Sequence, residues 1–180
     1  MAKFDTKKLL ENDVVKLIPL EATHFEELYA VASDSKIWEQ HPNKNRYKRE
    51  VFSTFFEGAI LSNGAYLIVD KATDEICGST RFYDYEESEN SILVGYTFLA
   101  TKWWGRGINP AVKHLMFNTA FEQIDKIILH IGETNFRSQV AIEKLGGSKI
   151  DQIKVAYHGE PTRVNFVYSF QKNDWFRLNQ

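Results

Sequence analysis

The apolar run Ser91–Ala100, "SILVGYTFLA", is followed by the loop "TKWWGRG", then Asn109-Pro110, then a second apolar run, "KIILHI", at Lys126–Ile131. Asn accepts hydrogen bonds from free amides at a helix start, and Pro is favoured in a first turn because its missing N–H would be unpaired anyway. A helix is therefore expected from Pro110 to about Phe121, with Val112, Leu115, Met116 and Ala120 at helical spacing toward a sheet. A strand, a crossing helix and a second strand in that order share a sheet as a parallel pair. No other stretch constrains the topology as much.

The rest of the chain supplies antiparallel elements. "VVKLIPL" (Val14–Leu20) reads as a first strand, followed by a helical segment with Thr23 as N-cap and Glu26 at capping-box spacing. A second helix is expected over Arg49–Leu61, stopped at Asn63-Gly64. "AYLIVD" and "ICGSTRFY" flank a polar turn and read as a hairpin. After "KIILHI" comes a short helix ending at Gly146-Gly147, then two alternating strands around Tyr157–Glu160. The result is an α/β chain with one mixed sheet, and no linker or repeat divides residues 1–180 into more than one domain.

Composition narrows the function classes. A formal charge of −2 argues against a nucleic-acid partner, which selects a basic face. No apolar run approaches the roughly 18 residues of a membrane span, and the N-terminal "MAKFDTKKLLENDVVKL" mixes charges as a secretory signal does not. Cys77 is the single cysteine, and the five histidines show no ligand spacing, so neither a disulfide nor a metal site is expected. A cytoplasmic location fits these features.

Gly105 and Gly107 allow a tight turn that exposes successive amides at the positive end of the following helix, which suits a phosphate group. Arg106 could add a charged contact. A turn that merely needs glycine explains the same residues equally well. The loop has no G-K-[ST] and no third glycine, which excludes a P-loop and the dinucleotide fingerprint.

The window Trp104-Gly105-Arg106-Gly107-Ile108-Asn109 resembles the acyl-CoA pyrophosphate loop of the GNAT N-acetyltransferase superfamily, R/Q-x-x-G-x-G/A. Trp104 and Asn109 depart from that pattern, and Gly107 matches its central glycine. "ETNFRSQVAIEKLGG" (Glu133–Gly147) resembles the family's next motif through Asn135, Ser138, Ala141, Lys144, Leu145 and Gly146. The similarity runs over roughly residues 14–170, is strongest at 91–170, and points to the RimJ/RimL-like branch.

The resemblance implies the GNAT fold, a mostly antiparallel sheet with one parallel, splayed strand pair flanked by helices. It implies acetyl transfer from acetyl-CoA to a primary amine, either a protein N-terminal α-amine or a small molecule, by direct attack. Phe98, Leu99 and Ala100 would offer backbone groups to the pantetheine arm, and Trp104 to Asn109 would surround the pyrophosphate. Gly95, in the first strand of the pair, marks a bulge or a close approach of another chain, and a glycine merely tolerated in a strand explains it equally well. Asn135 would lie beside the cofactor or cap its helix, and Ser138 would protonate the thiolate or bond its own backbone. Many relatives carry Glu two residues before the strand glycine, where this chain has Leu93. Glu133, Asp84 and Glu86 are the substitutes considered for the general base, with no motif behind them. A non-catalytic acyl-CoA sensor is the alternative that Leu93 favours, and an interaction domain without cofactor is a third reading. A homodimer is one assembly open to such a chain.

Outside the motifs, His130 on "KIILHI" could face the cleft but reads first as a packed or surface residue, Trp38 is a candidate wall of the acceptor groove, and Lys44, Arg46, Lys48 and Arg49 read as a solvated basic face. Tyr83 and Tyr85 are candidates for the acceptor side, and Cys77 for a small buried apolar residue.

Overall fold

The computed structural model describes residues 6–179, so the first residues of the N-terminal stretch read for a signal lie outside the described residues. Among the described residues eight strands form one sheet in the order β1-β2-β3-β4-β5-β6-β8-β7. They are β1 Leu10–Glu11, β2 Val15–Pro19, β3 Ala65–Asp70, β4 Ile76–Glu86, β5 Ser91–Leu99, β6 Lys126–Gly132, β7 Ser148–Val155 and β8 Arg163–Gln171. The helices are α1 Phe25–Ala32, α2 Arg49–Leu61, α3 Ile108–Phe121, α4 Phe136–Lys144 and α5 Lys172–Leu178. Among the described residues only β5 and β6 pair in parallel, joined through α3 as the apolar runs require. The short β1 and the helix α5 carry too little periodic pattern to be legible beforehand.

Two apolar layers sandwich the sheet. On one face, α3 and α5 bring Met116, Phe117, Phe121 and Trp175 onto Ile127, Leu129 and Phe170. The Trp175 indole satisfies its one polar atom by donating to Asn118 Oδ1 at 2.7 Å. On the other face, α1 and α2 bury Leu28, Phe52, Phe55 and Phe56 with Trp38, Leu67 and Phe98. Burying each such side chain contributes about 1.5–3 kcal/mol. Trp38 is therefore a core residue, fully buried with its indole donating to the Ala32 carbonyl, and does not wall a groove. The expected Thr23 cap is also displaced. A 3-10 turn over Ala22–His24 precedes α1, and the reciprocal cap is formed by Glu21 and His24.

Candidate active site

Parallel pairing of β5 with β6 runs from Ser91↔Lys126 only to Leu93↔Ile128. Beyond it β6 stays with β8 as far as Gly132↔Asn165, and β5 stays with β4 as far as Leu99↔Gly78. The strands therefore part, and a cleft of about 750 Å³ opens between them. Its walls come from both halves of the splay, the glycine loop, α4, and the tip of the β7–β8 connection at Tyr157.

A β-bulge sits in the open half of β5. Tyr96 and Thr97 together oppose Thr80, between the pairs Arg81↔Gly95 and Ser79↔Phe98. Tyr96 takes a left-handed φ of 52°, a conformation that costs a non-glycine residue on the order of 1 kcal/mol or more and is found disproportionately at functional sites. The bulge is thus centred one residue after Gly95. At Gly95 a Cβ would stand 3.2 Å from the Tyr83 ring, a tight contact that the ring would have to ease by a few tenths of an ångström. Because of the bulge, Tyr96 packs toward the α2 face, while Thr97 turns to α3 and accepts a hydrogen bond from Lys113 Nζ at 2.6 Å. Lys113 is buried at 3% exposure, and burial pushes its pKa down to about 7. It lines the cleft, and no motif pointed to it.

The glycine loop takes the shape its composition calls for, with a shifted cap. Gly105 and Gly107 have φ of 70° and 79°, and α3 begins at Ile108 with Gly107 as N-cap. Asn109 is therefore inside the first turn and makes no capping bond. Pro110 is still tolerated because first-turn amides have no intrahelical acceptor. Ile108 anchors this start by burying its side chain in the core. The Trp104 and Arg106 amides bond back to Thr101 and Trp103 at 3.1 and 3.4 Å. The amides left for a ligand are those of Gly105, Gly107, Ile108 and Asn109.

The end of β5 is partly occupied. Phe98 pairs with Ser79 and its ring joins the α2-face core, while the Ala100 amide donates to the Cys77 carbonyl at 2.8 Å. By strand alternation Leu99 turns its peptide groups toward the cleft, and there its carbonyl accepts from Trp104 Nε1 at 3.0 Å. The Leu99 amide remains as the strand-edge donor. The Arg137 guanidinium lies 3.9 Å over the Trp104 ring and also donates to the Ile37 carbonyl, so it ties the loop to α4. Trp103 is buried, and its indole nitrogen has no partner among the described residues.

Asn135 caps α4, its side chain accepting from the Ser138 amide at 3.3 Å, and both residues line the cleft. Phe136 and Val140, on the same helix, are 66% and 49% exposed at the cleft's border. Free amides, cations (Arg137, Lys144), and exposed apolar side chains together suit a long ligand with an anionic head and an amide-bearing arm. Glu133 is set apart from this group. It is exposed and borders a separate groove with Lys44 and Arg163. Glu86 accepts from Ser88 at the β4–β5 turn.

The opposite end of the cleft is aromatic. Tyr96 packs edge-on against Tyr83 and Tyr157 at centroid distances of 5.0 and 5.3 Å, and Arg81 stacks 3.8 Å from the Tyr96 centroid. Tyr85 does not join them and bonds Asn90. Arg46 is no part of a solvated face. It is 3% exposed, and its Nε donates to Glu160 Oε1 at 2.7 Å. His130 also lines the cleft, with Nδ1 3.1 Å from the Tyr157 hydroxyl. Its apolar neighbours in "KIILHI" made a packed residue the ordinary expectation. Only the splay of β5 from β6 exposes it.

Among the described residues no helix is long and apolar enough to cross a membrane, and no cluster of His, Cys, Asp or Glu could hold a metal. Cys77 is buried as expected, its thiol pushed up to about 12 chiefly by burial.

A search of curated protein sequences found no match. Solved structures do match. A GCN5-related N-acetyltransferase from Brucella melitensis superposes with a TM-score of 0.82 at 20% identity, covering 97% of this chain and 83% of that one. RimJ from Mycobacterium smegmatis, in complex with CoA-disulfide, gives 0.68 at 16% identity over 93% of this chain and 87% of that one. A candidate ribosomal-protein-serine acetyltransferase from Vibrio cholerae gives 0.74 at 15% identity, over 93% and 99% of the two chains. At these identities the likeness establishes the fold. The model of the acetyltransferase (GNAT) domain matches residues 15–148, most of the chain, and so the protein belongs to the GNAT acetyltransferase family, whose members use acyl-CoA.

Proposed function

We propose that this protein transfers the acetyl group of acetyl-CoA to a weakly basic primary amine, foremost the α-amine of a peptide or protein N-terminus, by direct attack within a ternary complex. The observation that carries this reading is the opening of β5 from β6 toward the free amides at the start of α3. Those amides and the helix dipole would hold the pyrophosphate. Pro110 cannot donate, so the contacts fall to Gly105, Gly107, Ile108 and Asn109, with Arg106 as a charged neighbour. The Leu99 amide would pair with the pantetheine arm, Trp104 would wall it, and Asn135 would lie beside it. A half-buried Ser138 hydroxyl would return a proton to the departing thiolate.

The acceptor class follows from the cleft's charges. Among the described residues, no Asp or Glu lines it, while Arg46, Lys113, Arg137 and Lys144 do. An α-amine with a pKa near 8 costs only about 1.4 kcal/mol to deprotonate at pH 7, against about 4.6 kcal/mol for a lysine side chain. A carboxylate-free cleft therefore suits the former. One structural neighbour is named as a ribosomal-protein-serine acetyltransferase, which is in keeping with a protein acceptor.

Thermal denaturation with acetyl-CoA tests the first half of this reading, since ligand at a hundred times its dissociation constant stabilises by about 2.7 kcal/mol. Absence of any shift would remove both the transferase and the sensor readings. Release of free CoA thiol with lysine-free peptides bearing an open N-terminus tests the second half. Binding without release on any amine supplied would leave the acyl-CoA sensor.

A further inference from the structure

We propose that His130, oriented by Tyr157, is the general base that takes the proton from the acceptor amine. This rests on the acetyltransferase reading above and supplies the group that Leu93 leaves missing.

The argument begins with what the cleft offers. Among the described residues lining it there is no carboxylate. His41 is held down to about 3, by burial first and then by the Arg46 and Arg137 cations, which makes it too weak a base. Lys113, on α3, is buried and its amine is engaged with Thr97 of β5. The Tyr83, Tyr96 and Tyr157 phenols are all pushed up by burial and stay protonated at neutral pH. His130 remains.

Its position fits the role. His130 stands two residues beyond Ile128, the last β6 residue paired with β5, where the strands have already parted. Leu129 and Ile131 on either side enter the α3-face core. Alternation along the strand therefore turns His130 to the other face, into the aromatic chamber with Tyr157 and Tyr96. In the tautomer whose Nδ1–H donates to the Tyr157 oxygen, Nε2 carries the lone pair, and Nε2 has no hydrogen-bond partner among the described residues.

Burial favours the neutral ring. Burial lowers the His130 pKa below its usual value of 6.5, opposed by the Asp84 carboxylate on β4. Tyr157 faces it from the β7–β8 connection, with Tyr96 of β5 behind. Arg46 and Glu160 reach it only through their effect on Tyr157.

In the step itself, the amine lone pair forms the C–N bond to the thioester carbonyl carbon and an N–H proton passes to His130 Nε2. The C–S bond then breaks, CoA leaves with the electron pair and takes the Ser138 proton to become the thiol, and the proton that His130 gives to solvent is balanced by one that solvent returns to Ser138. The sum is acetyl-CoA plus amine to acetamide plus CoA thiol.

The test uses the full chain, acetyl-CoA and a lysine-free peptide with an open N-terminus. H130Q is expected to lower kcat/KM about 100-fold, the lower range for a positioned base, while keeping the acetyl-CoA thermal shift. In the wild type, once the acceptor amine's own titration near pH 8 is divided out, the remaining acid limb of the kcat/KM profile should coincide with the His130 titration followed by NMR, and Y157F should move both together. A merely structural role for Tyr157 would not move the limb. H130Q activity within threefold of wild type, or an acid limb that departs from the His130 titration, would overturn the assignment even if H130Q folds poorly. A wild type that neither binds acetyl-CoA nor releases CoA would instead fail the acetyltransferase reading itself.

Discussion

Lys113 Nζ donates to Thr97 Oγ1 at 2.6 Å, and Thr97 Oγ1 in turn lies 2.8 Å from Thr80 Oγ1, so a buried amine is joined to the β5 bulge through two hydroxyls and no carboxylate. A lysine in such a place is disfavoured in its charged form.

This linkage has a definite sign. The Lys113 pKa is about 7 in the fold, against 10.5 for the unperturbed group. Between these values the unfolded chain binds more protons, so stability rises with pH through that window and is flat in this term below it. Lys113→Met should remove the rise and stabilise the protein at pH 7 by on the order of a few kcal/mol. Urea unfolding of both proteins at pH 6.5, 8 and 9.5 checks this. Parallel pH dependence in the two would show that Lys113 is not the source.

Gly107 combines a φ of 79° with open space around the position a Cβ would take. Gly107→Ala therefore meets no clash and pays only the left-handed backbone cost, about 1–2 kcal/mol. The substitution should lower Tm modestly and weaken acetyl-CoA binding more than the fold. Differential scanning fluorimetry with and without acetyl-CoA separates the two effects, and an unchanged ligand-induced shift would count against the loop's assigned role.

Gly78 is constrained in the opposite way. A Cβ there would stand 1.9 Å from the Phe98 carbonyl oxygen, across the β4–β5 ladder. Gly78→Ala must push the strands apart beside the cleft, and it is expected to cost more than 3 kcal/mol. A midpoint in urea within error of wild type would mean that β4 and β5 do not approach as described.

Arg46 and Glu160 tie the segment before α2 to the tip of the β7–β8 hairpin, with side chains 4% and 7% exposed. Removing one partner leaves a buried charge, so Glu160→Ala should destabilise by about 3–5 kcal/mol. Arg46 also stacks over Phe55 at 4.8 Å, which its replacement would forfeit as well. A double-mutant cycle with Arg46→Met reads the coupling directly, and a coupling near zero would contradict the buried pair.

Much of the architecture was legible because it rests on local signals. The bounds of α2 and β3 follow from their apolar patterns and the Asn63-Gly64 stop. The parallel β5–β6 pair follows from two apolar runs joined by a helix. The glycine loop was legible because only positive φ values make its turn. Its cap was read two residues late, since Asn-Pro marks a first turn without saying which residue of that turn it fills.

The site's chemistry was mostly not legible. His130 and Arg46 look alike in sequence to any histidine in an apolar strand or any arginine in a basic run. One became a cleft residue and the other a buried ion-pair partner only when strands and loops distant in the chain met. Lys113 carries no motif, and its depressed pKa comes from being walled in by β5. Local propensity acts over a few residues, so the sequence by itself determined the elements, their order and the loop. Burial, charge pairing and the parting of β5 from β6 depend on long-range packing, and only the tertiary structure decided which side chains share the cleft.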